Sequence, residues 1–245
     1  MSSSNKIPQI GLTKERGFPI LEGVDVDERL RFKKRDLEIC LERLVVPEKP
    51  SPRLEQYPIS TRVAAEMVWI AFYKNDIVGR KVVELGCGTG KLSIACALLN
   101  ASHVTGIDID PAIIKTARTN SEQLGLQNRV SWVCGDIKAI RASNPLFDVI
   151  VMNPPFGVRG APGTDIRFLN HAMRLGSVIY SLHLGRIKNR AYISEVVAKK
   201  GFMVDFISRL LMDIPYLFSY HRKRRHKIAV DLYRIIKAKN RNVAP

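Results

Sequence analysis

Asn153-Pro154-Pro155-Phe156 stands directly after an apolar run, Phe147 to Met152, of the length and composition of a buried strand. Two consecutive prolines fix φ and remove two amide donors, which leaves carbonyls with nothing local to pair. The Asn153 side-chain oxygen and the Pro154 carbonyl then form a rigid pair of acceptors, each able to take one N–H of an NH2 group. Phe156 offers a face on which a planar base stacks, worth roughly 1–3 kcal/mol. This array answers a chemical need. The amino nitrogen of adenine delocalises its lone pair into the ring and is a poor nucleophile. Hydrogen bonding both of its protons to acceptors returns electron density to nitrogen and helps it leave the ring plane. A methyl group on a sulfonium then transfers in line, with no general base required because the proton leaves after the methyl arrives. Positioning alone supplies up to about 7–11 kcal/mol in favourable cases. The plainer reading, that Asn-Pro-Pro is only a turn, is disfavoured by its place immediately after a buried strand.

Glu84-Leu85-Gly86-Cys87-Gly88-Thr89-Gly90 marks a second candidate site. Glycine suits a sharp backbone turn that a ligand approaches without a Cβ in the way. A dinucleotide binder shows G-x-G-x-x-G, with pyrophosphate on the helix N-terminus. Here the spacing is G-x-G-x-G, preceded by an acid, which suits a ligand without phosphate. A carboxylate follows at the end of the next predicted strand, Asp108, placed to accept both hydrogen bonds of a ribose diol. A third predicted strand ends Cys134-Gly135-Asp136-Ile137, where Asp136 can accept from an exocyclic amine of adenine and the Ile137 amide can serve a ring nitrogen. All three converge at strand carboxyl ends, where open α/β sheets bind ligands. Together they favour S-adenosylmethionine over a dinucleotide. Taken singly, each acid is equally well read as a helix cap.

The elements that must position these groups follow from periodicity. Residues 1–33 are polar, with Ser2-Ser3-Ser4 and no sustained period, and are expected to form a loosely ordered N-terminal extension. A short helix is predicted over Arg35 to Leu44, ending before the proline-rich connector Val46 to Pro52, and a second over Thr61 to about Tyr73 with Ser60 as its cap. From Lys81 short strands alternate with helices: strands at Lys81 to Leu85, His103 to Asp108, Arg129 to Cys134, Phe147 to Met152 and Val178 to Leu182. The intervening helices run through Leu92 to Leu99, from Pro111 to about Leu124, and near Ile166 to Arg174; another covers Ile187 to Lys199. Two late strands, Phe202 to Leu211 and Ile228 to Ile236, have no helix between them and are expected to pair antiparallel. The alternation predicts one α/β domain over residues 34–245: a mostly parallel, Rossmann-like sheet covered by helices on both faces.

Charge indicates the partner. Of the net +16, residues 151–245 carry +13, from 18 Lys/Arg against 5 Asp/Glu. A basic half points to a polyanion, of which nucleic acid is the commonest. The run His221-Arg222-Lys223-Arg224-Arg225-His226-Lys227 falls between the two late strands, with Tyr216, Phe218 and Tyr220 just before it. Such a run suits phosphate contacts interleaved with stacking on nucleic acid, the alternative being a solvated hairpin. Arg159 and Arg167 lie close in sequence to the reactive tetrapeptide and are further candidates for phosphate contacts. His171 and His183 read as structural, and Tyr180 as a core residue. The composition, 46% hydrophobic and 25% charged, excludes disordered and collagen-like chains. No apolar stretch approaches the ~20 residues of a membrane-spanning helix. No secretory signal is visible, and Cys40, Cys87, Cys96 and Cys134 form no C-x-x-C pair, so a cytoplasmic protein with reduced thiols and no metal site is expected.

These residues are similar to the class I methyltransferases acting on amino nitrogens, whose hallmark is [DNS]-P-P-[FYW]. Leu54-Glu55-Gln56-Tyr57-Pro58, Val151 to Gly157, Gly163-Thr164-Asp165, Tyr180-Ser181-Leu182-His183 and Tyr220-His221-Arg222-Lys223 resemble more narrowly the archaeal and eukaryotic adenine-N6 methyltransferases of small-subunit ribosomal RNA. The resemblance covers about Leu54 to Ile236. It implies a seven-stranded sheet with an antiparallel last strand, cofactor contacts from Gln56, Gly86, Thr89, Asp108, Asp136, Ile137 and Asn153, and catalysis by Asn153 to Phe156. It also implies a small zinc-containing activator subunit that covers an apolar edge. Two positions depart: Ile59 stands where the family usually has Thr, and Leu184 where a basic residue follows His183. A protein glutamine N5-methyltransferase uses a similar Asn-Pro-Pro-aromatic to hold a side-chain amide, but a peptide substrate needs no such basic half. A non-catalytic RNA-binding ribosome assembly factor is the reading from another class; it predicts unchanged function on replacing Asn153.

Overall fold

The structure, a computed structural model, describes residues 32–47, 59–140, 144–157, 161–215 and 225–238. Among them the helices are α1 (Lys34–Glu42), α2 (Thr61–Tyr73), α3 (Lys91–Leu98), α4 (Pro111–Gln123), α5 (Thr164–Leu175) and α6 (Ile187–Ala198). The strands are β1 (Lys81–Leu85), β2 (His103–Asp108), β3 (Val130–Cys134), β4 (Phe147–Met152), β5 (Gly176–Leu184), β6 (Phe202–Pro215) and β7 (Arg225–Lys237). Helix starts follow local chemistry. Ser60 Oγ accepts from the Val63 amide at 3.4 Å, and Asp110 Oδ1 accepts from Ala112 at 2.9 Å with Pro111 in the first helical turn.

The strands form one sheet in the order β3-β2-β1-β4-β5-β7-β6. Strands β1 to β5 run parallel, while β7 is antiparallel to both of its neighbours, β5 and β6. This is the mostly parallel, Rossmann-like sheet with an antiparallel last strand that the resemblance implies. β1, β2 and β4 have the predicted bounds. β5 is longer, because α5 runs into it without a loop at Gly176, whose position a Cβ would bring within 2.7 Å of Ile150. β6 and β7 are also longer than their apolar patterns, since they continue to pair with each other after β5 has ended.

Burial on both faces explains the near-continuous apolar runs of the central strands. One core, built from Leu37 and Leu41 of α1, Met67 and Val68 of α2, Leu92 and Ile94 of α3 and Leu124 after α4, covers one face. The other holds Leu169 and Met173 of α5 with Ile193 and Val197 of α6 against Ile150, Met152, Ile179 and Tyr233. Phe32 is buried against the first of these.

A buried ionic cluster fixes β7. Tyr180 is in the core, as expected, and its hydroxyl donates to Asp76 at 2.6 Å; Arg234 donates to Asp76 at 2.8 Å and to Asp205 at 2.8 Å. The pairing of β5 with β7 ends at Leu184↔Val230, whereas β6 and β7 continue to Pro215↔Arg225. The two therefore leave the sheet as a two-stranded ribbon at the carboxyl end of β5. Among the described residues no helix is long and apolar enough to cross a membrane.

Candidate active site

The glycine turn between β1 and α3 is folded back onto β2. Gly86 and Cys87 both donate to the Ile107 carbonyl, at 2.8 and 2.9 Å, and Gly88 donates to Asp108 Oδ2 at 2.8 Å. The glycines have positive φ, +69° at Gly86, +51° at Gly88 and +81° at Gly90, for different reasons. At Gly88 a Cβ would meet nothing within 4 Å, so this position faces open space beside the Asp108 carboxylate. At Gly86 it would lie 3.1 Å from Phe168 of α5. At Gly90 it would lie 2.2 Å from the Trp132 ring, which also fills the space beside Gly106. Protein packing thus accounts for Gly90, whereas Gly88 leaves open space beside Asp108.

Asp108 Oδ1 accepts from the Asp110 amide at 3.1 Å, which holds the carboxylate at the end of β2. Burial raises its pKa above the ordinary carboxylate value, opposed by the Asp110 and Gly88 amides. Glu84, expected among the cofactor contacts, spends Oε2 inside the protein on the Ser93 amide at 2.7 Å and hydroxyl at 2.5 Å. It ties β1 to α3, and burial pushes its pKa up to about 8. Asp136 is exposed and caps a single 3-10 turn, Ile137–Ala139, through Lys138 N at 2.9 Å. Gly135 N donates to the Asp108 carbonyl at 2.8 Å, so Asp108 and Asp136 stand at adjacent strand ends.

Asn153 to Phe156 leave the end of β4, with Pro154 buried and Phe156 packed against the first core. The side-chain oxygen of Asn153 is buried and accepts no hydrogen bond from any described residue. An orphaned acceptor costs on the order of 1–3 kcal/mol, so its presence where β4 ends calls for a donor beyond the described residues. Gly157 turns the chain at φ +71°, where a Cβ would crowd the Ala161 carbonyl at 3.1 Å.

Arg167 lies nearby but its Nη2 donates to Thr164 Oγ1 at 2.6 Å and the Ala161 carbonyl at 3.4 Å, bracing the loop before α5. His183 is fully buried between Asp165 Oδ2 at 3.0 Å and Ser181 Oγ at 2.8 Å, joining the start of α5 to β5. Gln56, Arg159, Tyr220, Arg222, Lys223 and Arg224 lie outside the described residues; Arg225 begins β7, and its side chain is likewise outside them.

Two residues that sequence reasoning passed over tie Val45 and Ile59 to the turn and the helix after it. Asn120 of α4 exchanges bonds with the Val45 backbone at 2.8 and 3.1 Å and donates to the Thr89 carbonyl at 3.0 Å. Lys91, directly after Gly90, is buried and donates to the Ile59 carbonyl at 2.9 Å, and burial lowers its pKa to about 8. A lysine in the first turn of an otherwise apolar helix was the available signal. The turn thereby grips both flanks of the segment between Val45 and Ile59.

Comparison with known proteins places this site in context. Residues 82–175 match a family model described as a methyltransferase domain. The chain is 35% identical over 206 residues to the rRNA N(6)-adenosine-methyltransferase METTL5 of Danio rerio, covering 83% of this chain and 98% of that one. To the rRNA N(6)-adenosine-methyltransferase of Drosophila melanogaster it is 36% identical over 208 residues, 83% of this chain and 96% of that one. Among solved structures, a Pyrococcus horikoshii protein proposed to be an RNA methyltransferase superposes with a TM-score of 0.78 at 32% identity, over 85% of this chain and 99% of that one.

Proposed function

The chain belongs to the family of rRNA N(6)-adenosine-methyltransferases, and we propose that, as an S-adenosylmethionine-dependent RNA adenine-N6 methyltransferase, it acts on small-subunit ribosomal RNA in the cytoplasm through a single domain spanning residues 34–245. The observation that carries the site assignment is the orphaned Asn153 oxygen at the end of β4. Asn153 Oδ1 and the Pro154 carbonyl accept the two amino protons of the target adenine, and Phe156 stacks on its ring. Asp108 takes the ribose hydroxyls, and Asp136 with the Ile137 amide takes the adenine of the cofactor. The open face of Gly88, with Gly86, Thr89 and Gly90, lets the cofactor lie on the turn, Glu84 braces that turn from beneath, and Gln56, outside the described residues, is a further cofactor contact by family resemblance. S-adenosylmethionine supplies the methyl carbon, its bond to sulfur breaking as the bond to N6 forms. The protein orients the amino lone pair toward that carbon and excludes water, and the proton leaves to solvent afterwards.

The family resemblance also implies a small zinc-containing activator, and the free edge of the sheet offers it a seat. Among the described residues β3 pairs with β2 alone, and Val133 of β3 and Ile109 just after β2 are about half exposed. Unpaired apolar edges of this kind are normally covered.

Asn153→Ala tests the assignment. Incubation with labelled S-adenosylmethionine and total small-subunit RNA, with and without the activator, followed by digestion to nucleosides, is expected to give N6-methyladenosine. The variant is expected to lose at least ~100-fold in turnover, the scale of removing one well-placed polar group, while still binding cofactor. Retained activity in the variant overturns the mechanism. Label in protein rather than RNA replaces it with glutamine methylation.

A further inference from the structure

Asp231 of β7 is fully buried, and two arginines converge on it. Arg190 of α6 binds it in bidentate fashion, Nε to Oδ2 at 2.7 Å and Nη2 to Oδ1 at 2.8 Å. Arg209 of β6 donates Nε to Oδ1 at 3.1 Å and Nη2 to the Gly185 carbonyl at 2.9 Å. Both guanidiniums remain partly open, with side-chain exposures of 38% and 47%. Two cations on one carboxylate leave a local surplus of one positive charge, held in fixed orientation. The same arginines keep Asp231 ionised by lowering its pKa. Each guanidinium spends two of its five N–H groups on these contacts and turns partly to solvent.

The position of this pair says what it meets. Met152 pairs with Ser181, and Ser181 with Tyr233; one step on, His183 pairs with Asp231. With strands about 4.8 Å apart and about 3.3 Å per residue, Asp231 lies roughly 10 Å from Asn153, two strands across at the same carboxyl edge. It also marks the root of the ribbon, since β5 ends one residue beyond its partner. Arg186 and Lys188 are exposed beside it, and Lys227 is exposed along the ribbon, opposite Asp213. Of the basic run 221–227, residues 221–224 lie outside the described residues. Arg186, Lys188 and Lys227 add exposed positive charge around the arginine pair.

We infer that Arg190 and Arg209 form a clamp for a backbone phosphate of the RNA substrate, on a nucleotide neighbouring the target adenosine. This rests on the reading of the chain as an RNA methyltransferase. Guanidinium is suited to the task because its planar fork spans two phosphate oxygens, and prior pairing with Asp231 removes the rotamer freedom that binding would otherwise cost. The clamp sets affinity and register along the strand; base identity is read elsewhere.

The test uses the full chain with a small-subunit rRNA transcript as probe, titrated at several KCl concentrations. Arg190→Gln and Arg209→Gln are each expected to raise the RNA KM about tenfold, equivalent to 1.4 kcal/mol. Each is also expected to make the slope of log KM against log salt shallower by about one, the signature of a lost phosphate contact. Affinity for S-adenosylmethionine, measured calorimetrically, is expected to stay unchanged. An unchanged RNA KM and salt slope with cofactor affinity intact overturns the clamp. Should the glutamine variants fail to fold, Arg190→Lys, which keeps the charge but cannot bridge two oxygens, is expected to raise the RNA KM while leaving the salt slope unchanged, and an unchanged KM overturns the clamp. If the wild-type chain methylates no RNA with or without the activator, the proposed function fails independently. Equilibrium retention of the transcript by wild type, compared with Arg190→Gln, then judges the clamp without turnover.

Discussion

Gly88 and Gly90 are two residues apart and share a positive φ, yet they answer to different neighbours. Alanine at Gly88 pays only the backbone cost of about 1–2 kcal/mol for a left-handed residue, because its Cβ enters open space. That space is where the cofactor is proposed to lie, so Gly88→Ala is expected to fold and to bind S-adenosylmethionine at least several-fold more weakly. Alanine at Gly90 pays the same backbone cost and drives its Cβ to 2.2 Å from Trp132, adding about 1–3 kcal/mol of overpacking. Gly90→Ala should therefore lower the unfolding midpoint well beyond Gly88→Ala; equal midpoints would refute this division of roles. The glycine spacing was legible in the sequence, and so was the turn it builds between β1 and α3. The purpose of Gly90 was not, because Trp132 reaches it from another strand and a half-buried strand pattern does not say which neighbour each ring meets. The orphaned oxygen of Asn153, by contrast, is what the Asn-Pro-Pro pattern led one to expect.

At the scale of elements, the unit β1–turn–α3 carries two buried titrating groups whose linkages have opposite signs. Glu84 holds its proton more tightly when folded, about 8 against an ordinary 4.5. Its contribution to stability is complete below pH 4.5 and is lost as pH rises to about 8. Lys91 holds its proton less tightly when folded, about 8 against 10.5, so stability recovers between pH 8 and 10.5. These two groups together predict a shallow minimum of stability near pH 8. Glu84→Gln removes the falling limb, so its urea midpoint relative to wild type should rise between pH 5 and pH 8, by up to a few kcal/mol in free energy. A parallel pH dependence in both proteins would show that Glu84 does not titrate in this window. Helix and strand existence was readable throughout because the central strands are apolar on both faces and α2 and α4 carry side-chain caps. The end of β6 and the start of β7 were not, since a two-stranded ribbon needs little burial to persist, and the start of β5 was not, since α5 runs into it without a loop. Arg234, which reaches Asp76 from β7 and lies 158 residues from it in sequence, was equally invisible. Removing it leaves Asp76 and the Tyr180 hydroxyl short of a partner, and Arg234→Met should cost about 3–5 kcal/mol of unfolding free energy.

Across the whole molecule the two free edges of the sheet have opposite character. The β6 side carries the ribbon and the arginine pair, which sits at the carboxyl edge two strands from Asn153. The β3 side is apolar and half exposed at Ile109 and Val133, next to the strand ends that hold Asp108 and Asp136. This separation lets one partner be RNA and another be protein without competition for surface. It also ties the protein partner to the cofactor pocket, since a subunit seated along β3 would brace the Asp108 and Asp136 strand ends from outside. Val133→Lys places a charge on that edge without touching the core, because Val133 points to solvent. The isolated chain should keep its fold and its affinity for S-adenosylmethionine. Stimulation of RNA methylation by the zinc-containing activator should fall at least tenfold, the cost of about 1.4 kcal/mol at the contact. Undiminished stimulation would place the activator elsewhere and leave the β3 edge without an occupant. Loss of cofactor affinity in the isolated variant would instead mean that β3 supports the pocket by itself.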